Sequence, residues 1–271
     1  MIKRIYATAL LTAREGIRQR ILYGALLLAL GVCCFAVLIS GLFMRDLSKI
    51  ILDFCLSSVA LGGLLVPFFL AINLLSRDME QKTIFTILSR PVGRAEYIVG
   101  KYAGLLVLAT LVMVFLTGAT YGAVWFGKML YGTSFFTSFS PLAVLTAVLG
   151  SWLAVALLTA LVVLWCSVTT SSFLATLLTV ATYLIGQSID DVIRFLAADI
   201  PGVEIAPVTR GVAVLARYLF PNLAAFDLKV QAAHGIIMAP QELLTLLVYG
   251  VTYVVAVLAL AVLIFKRRDI V

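Results

Sequence analysis

Charge is scarce in this 271-residue chain: Asp, Glu, Lys and Arg together make 12% of it. A soluble domain carries about twice that share. Hydrophobic residues make 63%, and mean hydropathy is +1.14. One soluble core cannot hide that much apolar surface, so the composition predicts a bilayer as solvent. Histidine occurs once, as His234, with no acid or thiol beside it. No H-E-x-x-H, C-x-x-C or Asp-rich pattern is present, which removes the usual starting points for a metal or nucleophilic site. Cys33, Cys34, Cys55 and Cys166 lie in or beside apolar runs and read as small buried hydrophobes, not as a disulfide framework. The G-x-x-x-x-G-K formed by Gly122, Gly127 and Lys128 is followed by Met129. A P-loop needs Ser or Thr there and a strand before it. The chain is therefore expected to carry no ATPase. Net charge is +7, but no basic stripe interleaves with aromatics as a nucleic-acid site needs.

What the chain does have is six apolar runs. They are Ile21 to Phe43, Phe54 to Leu75, Ala103 to Gly127, Leu142 to Trp165, Phe173 to Ile189 and Leu243 to Phe265, and none contains an ionisable Asp, Glu, Lys, Arg or His. Each approaches the roughly 20 helical residues that cross a hydrocarbon core. Uniform rather than alternating apolarity favours helices over a barrel. The expected fold is an all-α polytopic membrane protein of six transmembrane helices. It reads as one permease-like domain over residues 1–271, and the first run reads as a retained span, not a cleaved signal. With both ends inside, the inner segments hold 13 Lys/Arg and 5 Asp/Glu, against 7 and 8 in the outer ones. That bias predicts cytoplasmic termini. The lack of ionisable residues in the runs argues against proton- or ion-coupled transport and intramembrane catalysis.

Between the runs, residues 1–20 alternate Ile2, Ile5, Tyr6, Leu10 and Ile17 with Lys3, Arg4, Arg14, Arg18 and Arg20. This periodicity predicts an amphipathic interfacial helix, in preference to a simple basic flank. Residues 76–102 form the one sizeable inner loop, where Ile84, Phe85, Ile87 and Leu88 follow Arg77, Asp78, Glu80 and Lys82. That pattern predicts a short docking helix ended by Pro91 and Gly93. Residues 190–242 form a long outer segment punctuated by Pro201, Pro207, Pro221 and Pro240. They are read as short helices resting on the outer face, without a seventh span. His234, Asp190, Asp191 and Asp227 would be the candidates if this segment served an enzyme or an enzyme-maturation factor; a channel or scaffold is the other alternative. Pro67 is expected to kink the second span, and Asn73 to hydrogen-bond between helices. Gly118 and Gly122 form a G-x-x-x-G that serves either packing within the chain or a subunit interface.

Several of these pieces resemble the permease subunits of type-2 ATP-binding-cassette (ABC) transporters, over essentially the whole chain. The residues that carry the likeness are Arg77-Asp78-Met79-Glu80-Gln81-Lys82-Thr83, Leu88-Ser89-Arg90-Pro91-Val92, Arg94-Ala95-Glu96-Tyr97 and Gly100-Lys101. A second piece is Leu219-Phe220-Pro221-Asn222-Leu223 before Phe226-Asp227. Ile84 follows Thr83 where many members have Gly. The resemblance implies that residues 76–102 carry a coupling helix seated in a separate cytoplasmic ATPase subunit. Asp78, Glu80, Lys82, Thr83, Phe85, Leu88 and Arg90 would be its contacts. It implies two ATPase subunits that bind the ATP and Mg, a second permease copy in a homodimer, and a pathway for export. It also implies location in a prokaryotic cytoplasmic membrane, an N-terminal connecting helix near the ATPase, and re-entrant helices between spans five and six that cap the exit.

Overall fold

The computed structural model describes residues 2–42, 47–73, 93–136, 139–169, 171–197 and 207–267. Nine α-helices occur among them: α1 (Ile2–Ile17), α2 (Arg20–Ser40), α3 (Leu47–Leu65), α4 (Arg94–Tyr131), α5 (Pro141–Val168), α6 (Ser172–Ala197), α7 (Pro207–Leu219), α8 (Lys229–Ala233) and α9 (Pro240–Arg267). Six of these elements are long and apolar enough to cross a membrane: α2, α3 with its continuation to Ala71, α4, α5, α6 and α9. They correspond one to one with the six apolar runs. The helices overrun the runs at their ends because a helix continues past the hydrocarbon wherever its caps allow. Asp190, Asp191 and Arg194, expected outside as separate structure, instead continue α6.

The helices alternate in direction. One end of the bundle gathers α1, the start of α4 and the end of α9. There Arg94 Nη1 donates to the Lys266 carbonyl at 2.9 Å, Arg4 lies 3.8 Å from Glu96, and Tyr97 stacks on Phe265. Arg94 thus satisfies a carbonyl that the last turn of α9 leaves open. At the opposite, far end, Tyr131 Oη donates to the Val37 carbonyl at 3.2 Å and Tyr121 Oη to that of Pro141 at 3.1 Å. The centre is α5, whose Ala147, Leu157, Thr159, Ala160, Val162 and Val163 have no exposed surface. By contrast, α9 buries a single stripe of Leu246, Gly250, Val257, Ala261 and Phe265, while Leu244, Val248, Val251 and Val255 face outward. A one-stripe helix with an apolar outer face suits lipid contact.

Polar side chains inside the bundle are spent on hydrogen bonds. Trp152 Nε1 donates to Thr110 Oγ1 at 2.8 Å, linking α5 to α4, and Trp165 Nε1 to Thr182 Oγ1 at 3.1 Å, linking α5 to α6. Among the described residues no buried side-chain nitrogen or oxygen lacks a partner. Asn73 behaves otherwise than expected: it donates to Phe69 of its own helix at 2.6 Å. Pro67 lies in a π-helical turn, Val66–Ala71, that continues α3. Proline has no N–H for the regular ladder, and a widened turn is one way a helix absorbs that loss.

Helix α1 packs against α4 through small residues. A methyl group added to Gly104 would stand 2.6 Å from the Ala9 carbonyl oxygen and 2.7 Å from Thr12 Cβ; one on Gly100 would stand 2.7 Å from Thr8 Cβ. Gly100 and Gly104 thus form a G-x-x-x-G that lets two backbones approach closely. Lys101, 2% exposed, places Nζ 3.9 Å from Glu15 Oε2 and 5.8 Å from the Tyr97 ring centroid. On the other side of α1, Ile2, Tyr6, Leu11 and Ile17 stay exposed. The helix is therefore two-sided: small residues grip α4 and large apolar ones face away.

The outer segment does not rest on the helix ends. Helix α7 and the turn after it bend by 57° into residues 224–233. The turn between them lies against Gly150, Gly186 and Gly250. Gly150 is nine residues into α5, so the turn reaches about 14 Å along the helix from its start at 1.5 Å per residue. Since α6 ends and α9 begins at the far end, the chain enters and leaves on one side. The turn thus sits among the helices, where the family resemblance put re-entrant helices; proline spacing marks turns but not their depth.

Replacing Gly104 with Leu forces α1 off α4 and costs about 1–3 kcal/mol by overpacking. Replacing Gly118, which has open space around its Cβ position, leaves stability nearly unchanged. Thermal unfolding of the two detergent-solubilised variants, with fluorescence-detected gel filtration, checks the contrast.

Candidate functional site

A cavity of about 460 Å³ lies where α3, α5, α6 and the re-entrant turn meet. Its walls follow from helical periodicity. Ser57, Ala60, Leu61 and Leu64 lie at i, i+3, i+4 and i+7 on α3, and Ser151, Ala154, Val155 and Leu158 repeat that spacing on α5. These offsets put four residues on one face. Tyr183 and Gln187, four apart on α6, complete the wall, and Leu223, Phe226, Asp227 and Lys229 close it at the far side. Helices α3 and α5 run in one direction and α6 in the other, so the sequence offsets order the lining. Ser57, Ser151, Gln187, Asp227 and Lys229 gather toward the far end, while Leu61, Leu64, Val155 and Leu158 lie deeper.

The closing turn is built by the motif Leu219-Phe220-Pro221-Asn222-Leu223. The Leu223 amide donates to the Gly186 carbonyl at 2.9 Å, and the Asn222 amide to Tyr249 Oη, also at 2.9 Å. Asn222 Oδ1 accepts from the Ala225 amide at 3.2 Å, and the Leu219 carbonyl from Tyr253 Oη at 3.0 Å. Phe226 stacks on Tyr249 at 5.9 Å between ring centroids and places its carbonyl oxygen 2.6 Å from where a Gly150 methyl would be. Each glycine is therefore needed for the turn to sit among the helices. Non-helical backbone at membrane depth is tolerated only where it is buried in protein or lines a cavity, and this turn does both.

Lys229 Nζ lies 3.2 Å from Asp227 Oδ2, and the Lys229 amide donates to Asp227 Oδ1 at 3.3 Å. The pair brings one charge of each sign to the cavity mouth. A second, more open cavity of about 600 Å³ lies between α6, α7 and α9, with Asp190, Arg217, Asn222 and Glu242 in its wall.

The sequence-predicted residues fall in different places. Asp78, Glu80, Lys82, Thr83, Phe85, Leu88 and Arg90 lie outside the described residues. Gly118 and Gly122 are on an outward face of α4 with no atom within 4 Å of either Cβ position beyond their own helix. Asp227 lines the first cavity and Asp190 the second. His234 is exposed, with Nδ1 2.9 Å from the Val230 carbonyl of its own turn. Among the described residues no group of three or more His, Cys, Asp or Glu could hold a metal ion. Sequence reasoning passed over Ser57, Ser151, Tyr183, Gln187 and Lys229, and the glycines at 104, 150, 186 and 250; Gly100 stood out only as part of a family likeness. The signal available for the first group was a small polar residue recurring on an otherwise apolar helical face. For the second it was an isolated glycine inside a span.

No curated protein matches this chain. A family model described as ABC-2 family transporter protein matches residues 13–270. The match takes in all six candidate spans and the re-entrant turn. The chain therefore belongs to the ABC-2 family of transporters, as a multi-pass membrane component of an ABC transporter.

Proposed function

We propose that this chain is the permease subunit of an ABC exporter, forming the substrate path while a separate cytoplasmic subunit hydrolyses ATP. The observation that carries the reading is the cavity at membrane depth, with serines, Gln187 and an ion pair in its wall and a re-entrant turn across its far side. A lipid-facing surface does not keep such groups, whereas a transport path does. The chain brings no P-loop, so the energy has to come from a partner. Two permease copies and two ATPase subunits form the working assembly. Its termini lie in the cytoplasm, in accord with the Lys/Arg bias, and the turn of residues 219–228 caps the exit. The apolar outer side of α1 lies at the membrane surface.

The route of coupling is short in sequence. Residues 74–92 join α3, which supplies four residues of the cavity wall, to α4, which holds α1. A push on Glu80, Lys82, Phe85 and Leu88 by the closing ATPase reaches the cavity through the π turn of α3 and reaches α1 through Gly100 and Gly104. Switching between inward and outward access is then a rigid-body rocking of helices, with the turn's grip on Gly186 and Gly150 released and remade.

Affinity purification of the tagged chain from solubilised membranes brings down a stoichiometric subunit with a Walker motif and ATPase activity. The double change Glu80→Ala plus Phe85→Ala lowers that recovery by about tenfold, or 1.4 kcal/mol. Recovery of the chain alone, without ATPase activity, overturns the reading. Gly186→Val places a side chain 2.7 Å from the Pro221 carbonyl and unseats the cap, at a cost of about 1–3 kcal/mol. Its expected signature is faster trypsin cleavage at Arg217 and Lys229 with the ATPase still bound, whereas Gly211→Ala, in open space, leaves cleavage unchanged.

A further inference from the structure

The same cavity carries information about what it takes. Its polarity is graded along the membrane normal. Ser57, Ser151 and Gln187 stand nearer the far end, with Asp227 and Lys229, while Leu61, Leu64, Val155 and Leu158 lie toward the termini. A cavity lined only by apolar groups stays dry, and one lined by polar groups fills with water. One half of this cavity is apolar apart from Tyr183, and the other mixes its polar groups with Leu223 and Phe226, which matches a molecule with an apolar tail and a polar head.

Size narrows the choice. The 460 Å³ of space falls within the roughly 300–1,000 Å³ of pockets that take one drug-sized ligand. That accommodates one chain and a small head, not two acyl chains side by side. Charge narrows it again. Among the described residues the ionised side chains of the lining are Asp227 and Lys229, and they face each other at 3.2 Å. The mouth is therefore neutral overall. A singly charged head meets a like charge with no surplus of the opposite sign. A neutral head finds hydrogen-bonding partners in Gln187 and the serines, and a zwitterionic one can interleave its two charges with the pair.

We infer that the cavity between α3, α5, α6 and the re-entrant turn binds a single-tailed amphiphile with a neutral or zwitterionic head, its head at Asp227, Lys229 and Gln187 and its tail along Leu61, Leu64 and Leu158. The inference rests on the reading of the chain as a permease and names the class of its cargo. Leu61 is 40% exposed, so the wall opens sideways at the depth of the tail. A chain can enter there from the bilayer, while the head travels along the polar strip.

The test uses the full chain in its own membranes with photoreactive diazirine-dodecyl probes below their micellar concentrations. One probe carries phosphocholine, one trimethylammonium and one sulfate. Phosphocholine is expected to label peptides of α3 and α5 near Leu61, Leu64 and Leu158, exceeding the two singly charged probes by about tenfold. Leu61→Trp and, separately, Ala60→Leu fill the cavity and abolish that label. Lys229→Gln leaves Asp227 unpaired and turns the preference toward trimethylammonium, a change that a merely structural loss does not produce. Equal labelling by all three heads overturns the inference. So does labelling that survives both cavity-filling changes, or a direct Leu61→Cys cross-link between two chains, which would show a second copy occupying the space. ATPase recovery from the same membranes separates the two readings. A bound ATPase without cavity labelling removes the cargo class and leaves the permease; cavity labelling without any ATPase removes the permease and leaves a lipid site.

Discussion

Backbone amides that enter hydrocarbon need partners inside the protein, and the rest of this structure depends on how residues 219–229 meet most of that demand without a continuous helix. The amides of Phe220, Leu223, Phe226 and Asp227 donate to carbonyls, that of Asn222 to a tyrosine hydroxyl, and those of Ala225 and Lys229 to side chains of the turn itself. Pro221 has no amide to satisfy. The solution needs partners from three spans: the Gly186 carbonyl of α6, Tyr249 and Tyr253 of α9, and the bare backbone at Gly150 of α5. Because the turn satisfies itself on the helices, it holds them in register, and the space it leaves against α3 is the cavity.

The other close backbone approach is at the opposite end, where α1 meets Gly100 and Gly104 of α4. The two contacts are built alike, a glycine on a span receiving the backbone of an element that is not a span. They differ in what surrounds them. Lys101, Glu15, Arg4, Glu96 and Arg94 ring the α1 contact with ion pairs and a carbonyl bond. At the re-entrant turn the work falls to neutral hydrogen bonds, stacked rings and one ion pair at the cavity mouth.

Much of the fold was legible beforehand, since an uncharged run of about 20 residues has one low-energy environment and one backbone conformation there. The site was less so. The motif from Leu219 to Leu223 drew attention as a family likeness, and Asp227 stood beside it, but neither reveals depth. Gly118 and Gly122 carry the conspicuous G-x-x-x-G of α4, yet Gly100 and Gly104 make the contact within the chain. The spacing is the same, and only the arriving partner tells the two apart. Ser57 and Ser151 looked like ordinary small residues because each is one polar group in an apolar helix. Their meaning comes from facing each other.

The sequence alone therefore determined the solvent, the number of spans and the helical class, through composition and run length, which are local and additive properties. It also carried enough ordered pattern to place the chain among ABC-2 transporters. Tertiary structure alone decided which glycines receive the turn after α6, that α1 grips α4 through small residues, and that a cavity sits between α3, α5 and α6. Each of those rests on contacts between positions far apart in the chain, such as Gly150 with Phe226 or Gly104 with Ala9. Periodicity within one helix says which residues share a face, but not which other helix that face will meet.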